Sequence, residues 1–258
     1  MRIDIKDSDV CQKCRIHNCS FLNMAKTKTD FYNLPSETVI CPTQAISEEG
    51  PSERDLRDGK ITESTCVKCG LCIKFCEHQN LAVSDFDFNT DDFQNMTEPQ
   101  INAATSVYLS TLFKFSANTN RNRSLLFDGY ISDIYDEAFV EVDWADDSLE
   151  SLRRILGDIL TYSKSHNIKQ GLIVLSHLPR EGSRDVFTLI KKMKSFPTTS
   201  DIEIYITTFS LLRAMCLYLK NDTYTMKQLF FDSTTETIKD YVTRIRPLFE
   251  EIEIPDNI

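Results

Sequence analysis

The run Cys66-Val67-Lys68-Cys69-Gly70-Leu71-Cys72-Ile73-Lys74-Phe75-Cys76 concentrates four of the nine cysteines of this chain in one short segment. Four more cysteines precede it, at Cys11, Cys14, Cys19 and Cys41. A C-x2-C-x2-C loop brings three thiolates into one small volume, and a more distant cysteine supplies the fourth ligand. This spacing predicts two sites for [4Fe–4S] clusters in the first third of the chain.

Two zinc ions are the alternative, because zinc sites with four cysteines also use C-x2-C pairs. Such sites usually join two pairs from separate segments, whereas Cys66, Cys69 and Cys72 form an unbroken triplet. The triplet therefore favours iron–sulfur clusters over zinc. A disulfide framework is not expected, because the sequence shows no signal peptide and its composition is typical of a cytoplasmic protein.

Two short segments resemble the bacterial-type dicluster ferredoxins: Cys41-Pro42-Thr43-Gln44-Ala45-Ile46 and Lys68-Cys69-Gly70-Leu71-Cys72. The resemblance covers residues 1–84. In that family the fourth ligand of each cluster comes from the other motif. The resemblance therefore implies one cluster held by Cys41, Cys66, Cys69 and Cys72, and a second held by Cys11, Cys14, Cys19 and Cys76.

The first motif departs from the family pattern. Four residues separate Cys14 from Cys19, and His17 stands where the family has its third cysteine. Cys19 is the preferred ligand, since thiolate suits iron–sulfur chemistry. A cluster bound by His17 and a three-iron cluster both stay open as alternatives. Glu77 also follows Cys76, where the family commonly has proline.

Length and charge narrow the class of protein. The 258 residues predict two domains, a ferredoxin-like module over 1–84 and an α/β domain over 100–258, joined by an acidic linker over 85–99. The net charge of −10 argues against a generic DNA-binding protein. No apolar run reaches the ~18 residues that span a bilayer, and no glycine-rich phosphate motif indicates a nucleotide cofactor.

Helices and strands alternate from residue 97 onward. Hydrophobic periodicity predicts helices over 97–115, 147–163, 184–195, 211–219 and 235–250, and strands over 124–132, 138–144, 171–176 and 202–207. The predicted fold class is α+β, in which a small ferredoxin-like dicluster domain precedes an α/β sandwich. The sandwich is a mixed sheet flanked by helices.

Acidic side chains mark the second half. Asp128 lies in the first predicted strand, Glu141 and Asp143 lie in the next, and the following helix carries Asp158 and Tyr162. This order resembles the PD-(D/E)XK nuclease superfamily, and so implies a restriction-endonuclease-like fold. Alternation along the strand puts Glu141 and Asp143 on one sheet face, so that with Asp128 they provide oxygen ligands for Mg²⁺. Such a site would activate water for phosphodiester hydrolysis.

The nuclease pattern is incomplete, because Asp143 replaces its lysine and Asp158 replaces its glutamine. Lys164 and Lys169 are the candidates for the missing cation. Solvated carboxylates at the edge of an unrelated sheet are the alternative interpretation.

Three functions are consistent with these features. Electron transfer ranks first, because two clusters form a relay whereas a structural role needs only one. The protein would then work with a protein redox partner or as the subunit of a complex. A nucleic-acid-processing protein with structural or sensing clusters ranks second. An interaction subunit with clusters as rigid elements ranks third. No membrane association is expected.

Overall fold

The computed structural model describes residues 1–14, 18–19, 21–23, 37–46, 61–62, 65–88, 91–117, 127–143, 149–176, 178, 184–196, 199–220 and 223–256. Within these residues the strands are β1 (Arg2–Ile5), β2 (Phe21–Asn23), β3 (Glu37–Val39), β4 (Leu81–Ser84), β5 (Phe115–Ala117), β6 (Gly129–Ser132), β7 (Glu137–Asp143), β8 (Gln170–Leu175), β9 (Glu203–Thr208) and β10 (Phe231–Asp232). The α-helices are α1 (Ser8–Lys13), α2 (Leu71–Lys74), α3 (Glu98–Leu112), α4 (Leu149–His166), α5 (Arg184–Lys194), α6 (Phe209–Tyr218), α7 (Met226–Leu229) and α8 (Ile238–Ile245).

The largest sheet has six strands in the order β10-β9-β8-β7-β6-β5. Its centre is parallel, because α4 connects β7 to β8 and α5 connects β8 to β9. The remaining strands pair antiparallel at both edges. The predicted α+β class, with a mixed sheet and helices in the second half, is therefore confirmed. Among the described helices, none is both long and apolar enough to cross a membrane.

The predicted boundaries differ most from the structure at three places. The helix expected over 97–115 ends at Leu112, because Phe115–Ala117 pairs with β6 as an additional strand. The strand expected over 124–132 is formed only at Gly129–Ser132, and its first residues, 124–126, lie outside the described residues. The tail helix is limited to Ile238–Ile245, since Pro247 has no N–H to continue it and a 3-10 turn follows.

Two smaller sheets organise the N-terminal part of the chain. β1 pairs antiparallel with β4, placing Ile5 opposite Leu81, and β2 pairs antiparallel with β3. The β1–β4 ladder joins the segment before Cys11 to the segment after Cys76. It therefore brings the two ends of the cysteine-rich region together.

One hydrophobic core joins the predicted N-terminal module to the large sheet. Leu71 and Phe75, beside the second cysteine run, belong to the same core as Tyr108 and Phe209. Helix α6 lies at this junction and contacts both α2 and α3. The helical turn of the cysteine run is thus packed directly on the second half of the protein.

The segment predicted as an acidic linker, 85–99, also contributes to this core. The carboxylates of Asp85 and Asp87 are exposed, but Phe93 is fully buried, with its ring centroid 5.3 Å from that of Phe209. Helix α3 begins within the segment, after the capping box formed by Thr97 and Gln100. The acids face solvent while the aromatic side chains attach the segment to the core.

Candidate functional site

Four cysteines line one cavity in the N-terminal part of the protein, and we call them the inner cysteine site: Cys41, Cys66, Cys69 and Cys72. The aliphatic side chains of Ile46, Ile61 and Val67 complete much of its wall. The backbone N–H of Ile46 donates a 3.5 Å hydrogen bond to the Sγ of Cys41. Burial, followed by repulsion from neighbouring thiols, raises the pKa of Cys72 well above its ordinary value.

Neighbouring helices hold the loop that carries Cys66, Cys69 and Cys72. Gly70 adopts φ +77°, a conformation that favours glycine, and caps the N-terminus of α2. A Cβ at this position would lie 2.9 Å from Leu217 Cδ1 of α6. The hydroxyl of Tyr108 in α3 donates a 2.6 Å hydrogen bond to the backbone carbonyl of Cys69. The loop conformation therefore depends on contacts with the second half of the chain.

The other four cysteines form what we call the outer cysteine site: Cys11, Cys14, Cys19 and Cys76. Asn80 contacts two of them, donating from Nδ2 to the Sγ of Cys11 at 3.0 Å and from its backbone N–H to the Sγ of Cys76 at 3.3 Å. Burial, with further contributions from the thiols of Cys76, Cys14 and Cys11, raises the pKa of Cys19 to about 12. These four side chains are partly exposed, and His17 lies outside the described residues.

The grouping in space differs from the grouping in the sequence. Cys76 belongs to the second cysteine run, yet it lies beside Cys11 and Cys19. Cys41 precedes that run by many residues, yet it shares a cavity with Cys66, Cys69 and Cys72. The β1–β4 ladder explains why Cys76 lies beside Cys11, because it carries the end of the second cysteine run back to the beginning of the chain.

The donors at both sites suit thiolate-ligated iron. None of the eight cysteines forms a disulfide, and N–H groups point at the sulfur atoms of Cys11, Cys41 and Cys76. In a [4Fe–4S] cluster each thiolate binds its own iron atom, so the four thiols surround the cluster. Among the described side chains, no group of three or more histidine, cysteine, aspartate or glutamate residues was found that could hold a metal ion. The thiol donors and the N–H groups beside them are of the kind that such clusters use.

The carboxylates predicted as a second site lie near the carboxyl end of β7, and we call Asp128, Glu141 and Asp143 the carboxylate cluster. Asp128 immediately precedes β6 instead of lying within it, and its Oδ2 accepts a 2.8 Å hydrogen bond from the backbone N–H of Val142. Gly129 pairs with Val140, so Asp128 stands opposite Glu141. The structure therefore brings Asp128 and Glu141 to one face of the sheet.

Glu141 is the most unusual of these residues. Only 4% of the residue is exposed, and its Oε1 has no hydrogen-bond partner among the described residues. Burial, and then the neighbouring charge of Asp128, raises the pKa of Glu141 to about 9. Glu141 is accordingly protonated at neutral pH unless a cation compensates its charge.

A cleft of about 980 Å³ opens beside this cluster, between the N-terminal turns of α3 and α4. Asp143 lines it and accepts a 2.8 Å hydrogen bond from the Oγ of Ser151. Arg154 lines it as well and pairs with Asp158 at 3.6 Å. Asp128 and Glu141 are not part of the cleft wall, so the three predicted metal-binding carboxylates do not all face one space.

Of the described basic residues, Arg154 lies beside the carboxylates, and neither predicted lysine does. Arg154 lowers the pKa values of Asp128 and Glu141, in opposition to the larger effect of burial. Lys169 pairs with Asp201 at the opposite end of the sheet, and Lys164 is exposed near the end of α4. In the sequence, Arg154 and Asp158 stand one helical turn apart, and this spacing could have identified Arg154 as the cation near the carboxylates.

Tyr162 lies one turn beyond Asp158 but belongs to an aromatic cluster. Its ring meets that of Phe127 edge to face at 5.0 Å and lies 5.4 Å from Phe139. These contacts place Tyr162 in the packing between α4 and the sheet. Two further residues at the cysteine sites, Asn80 and Arg213, were absent from the sequence predictions, because neither belongs to a cysteine motif.

No family model, no curated protein and no solved structure matches this chain. The class of protein is therefore defined by the structure itself. It is a mixed α+β protein with a six-stranded sheet, two groups of four cysteines and a carboxylate cluster beside a cleft.

Proposed function

We propose that this protein binds two [4Fe–4S] clusters and transfers electrons between protein partners. The observation that carries the proposal is the cavity lined by Cys41, Cys66, Cys69 and Cys72, which joins a distant cysteine to an unbroken triplet. In a ferredoxin-like module the outer site would likewise take its fourth ligand from the other motif, and Cys76 does adjoin Cys11.

The side chains around the two sites would perform distinct tasks. The eight thiolates would hold the clusters, which supply one-electron transfer when bound. Asn80 and the backbone N–H of Ile46 would donate hydrogen bonds to ligand sulfur atoms and so stabilise their negative charge. The aliphatic wall at Ile46, Ile61 and Val67 would keep water from the inner site, while the partly exposed outer site would face a partner.

Anaerobic purification followed by iron and acid-labile sulfide analysis tests this proposal. The expected result is about eight iron atoms and about eight sulfides per chain, with broad absorption in the visible range and an electron paramagnetic resonance signal after dithionite reduction. Zinc without sulfide would contradict the proposal. Clusters that dithionite cannot reduce would contradict electron transfer while leaving the cofactor assignment in place.

A second candidate function is divalent-cation-dependent cleavage of nucleic acid, with Mg²⁺ at the carboxylate cluster. The Oε1 of Glu141 favours it, because a buried oxygen without a partner beside Asp128 suits a cation ligand. Arg154 would provide the positive charge near the cleft. The test is Mg²⁺- or Mn²⁺-dependent cleavage by the wild type, lost in Glu141→Gln and kept in Glu137→Gln, which alters an exposed residue of the same strand. Equal cleavage by both variants would exclude this site.

A further inference from the structure

Arg213 is a fully buried arginine directed at the inner cysteine site. Its Nη1 donates a 3.3 Å hydrogen bond to the carbonyl of Lys68, and its Nη2 donates a 2.5 Å hydrogen bond to the carbonyl of Asp87. Its guanidinium lies 5.1 Å from the ring centroids of both Phe86 and Phe93. A positive charge is therefore fixed in the core immediately behind the loop that carries Cys69.

Burying a guanidinium is unfavourable unless nearby negative charge compensates it. The carboxylate of Asp87 lies 3.7 Å from Nη2, but it is half-exposed and so its field is weakened by water. Thiolates bound to a cluster at the inner site would supply further negative charge close to Arg213. The carbonyl that Arg213 Nη1 contacts belongs to Lys68, the residue that immediately precedes Cys69.

The outer cysteine site has a charge of the opposite sign beside it. Asp7, the N-cap residue of α1, adjoins this site, because the Nδ2 of Asn80 donates hydrogen bonds both to the backbone carbonyl of Asp7 and to the Sγ of Cys11. The two sites thus differ in the fixed charge next to them, with a buried cation at one and a carboxylate at the other.

Reduction adds one negative charge to a cluster, so a nearby cation favours the reduced form and a nearby anion opposes it. Greater exposure of the outer site acts in the other direction, because water also stabilises added charge. A cation in the protein interior acts through a lower dielectric, so Arg213 offsets part of the cost that burial imposes on added charge at the inner site.

We propose that Arg213 raises the reduction potential of the inner cysteine site. This inference rests on the proposed function, because it requires clusters at both sites. A higher potential at the inner site would favour the passage of one electron from the outer site to the inner site, with the outer site reoxidised as the inner one is reduced. Arg213 would thus direct electrons toward the second half of the protein.

A redox titration of the anaerobic protein, followed by electron paramagnetic resonance, tests the proposal. Arg213→Met should lower one of the two midpoint potentials, with at least a tenfold loss in the equilibrium constant for transfer between the sites, equivalent to about 59 mV for one electron. Arg213→Lys keeps the positive charge, so its midpoint potential should stay close to that of the wild type. Asp87→Asn removes the paired carboxylate and should raise the same midpoint.

Asp7→Asn is the matched control at the outer site, because asparagine also serves as an N-cap. It should raise the other midpoint and leave the one sensitive to Arg213 unchanged. If Arg213→Met does not assemble clusters, the opposite shift in Asp87→Asn decides the question. Unchanged midpoints in Asp87→Asn and in a loaded Arg213 variant would overturn the inference but not the proposed function. A wild-type protein without iron and sulfide would overturn both.

Discussion

Tyr108 and Cys69 are joined by a 2.6 Å hydrogen bond from the tyrosine hydroxyl to the cysteine carbonyl, although they lie in different predicted domains. Both residues are buried, and Tyr108 also packs edge to face against Phe209 of α6. The loop of the inner cysteine site is therefore supported from α3 and α6. The conformation of the loop that carries Cys69 and the packing of the helices on the large sheet therefore depend on each other.

Removing this hydroxyl should destabilise the protein. Tyr108→Phe leaves a buried carbonyl without its donor, and we expect a loss of ~1–3 kcal/mol in the free energy of unfolding. Tyr130→Phe is the control, because the hydroxyl of Tyr130 bonds Glu137 at the surface and its loss should change stability by ~0.5 kcal/mol or less. Denaturant titration of the anaerobic proteins measures both. Equal effects of the two substitutions would argue against a supporting role for Tyr108.

Gly70 provides a second test of the same loop. Gly70→Ala should destabilise the protein by at least ~1–2 kcal/mol, because an L-residue is strained at φ +77° and the new Cβ would meet Leu217. Gly157→Ala should have the opposite sign. Gly157 lies inside α4, and apart from its chain neighbours and its own helix backbone no atom of the described residues lies within 4 Å of the added Cβ, so alanine should stabilise the helix by ~0.5–1 kcal/mol. Thermal denaturation should show a lower melting temperature for Gly70→Ala and a higher one for Gly157→Ala than for the wild type.

The exchanged grouping of the cysteines predicts which cluster each ligand variant damages. Cys41→Ser should disturb the cluster held with Cys66, Cys69 and Cys72. Cys76→Ser should disturb the cluster of the outer site, since its thiol adjoins Cys11. Iron content and electron paramagnetic resonance of each variant would show which signal is lost. If each serine variant instead lost the cluster of its neighbours in the sequence, the grouping of the ligands would be wrong, while the assignment of iron–sulfur clusters would stand.

Glu141 predicts a pH dependence of stability in the absence of divalent cations. Its pKa is raised from 4.5 to about 9 by burial and by Asp128, so the folded state retains a proton that the unfolded state releases. Stability should therefore fall as the pH rises from ~4.5 to ~9, by up to ~1.4 kcal/mol per pH unit from this group. Glu141→Gln removes that contribution and should be the more stable protein at pH 8, with little difference at pH 5.

Thermal midpoints across this pH range measure the effect. Parallel curves for the wild type and Glu141→Gln would show that Glu141 does not change ionisation on folding. Addition of Mg²⁺ at pH 8 should stabilise the wild type more than Glu141→Gln if the carboxylate cluster binds a cation.

Local sequence was sufficient for most of the elements in the second half. Helix α4, strand β8 and helix α5 were predicted to within a few residues, because amphipathic and apolar runs report directly on burial. Strands β5 and β10 were missed, since a strand of two or three residues is stabilised by its neighbour and not by its own pattern.

The candidate sites divide in the same way. The sequence by itself determined which cysteines are available and how they are spaced, because ligand spacing within one loop is a local property. Only the tertiary structure placed Asn80 between Cys11 and Cys76, and Arg213 behind the loop of Cys69. It also placed Arg154, in preference to either lysine, beside the carboxylates. Electrostatic fields act through space, so the charges that adjust these sites come from residues far away in the chain, and folding alone decides which ones they are.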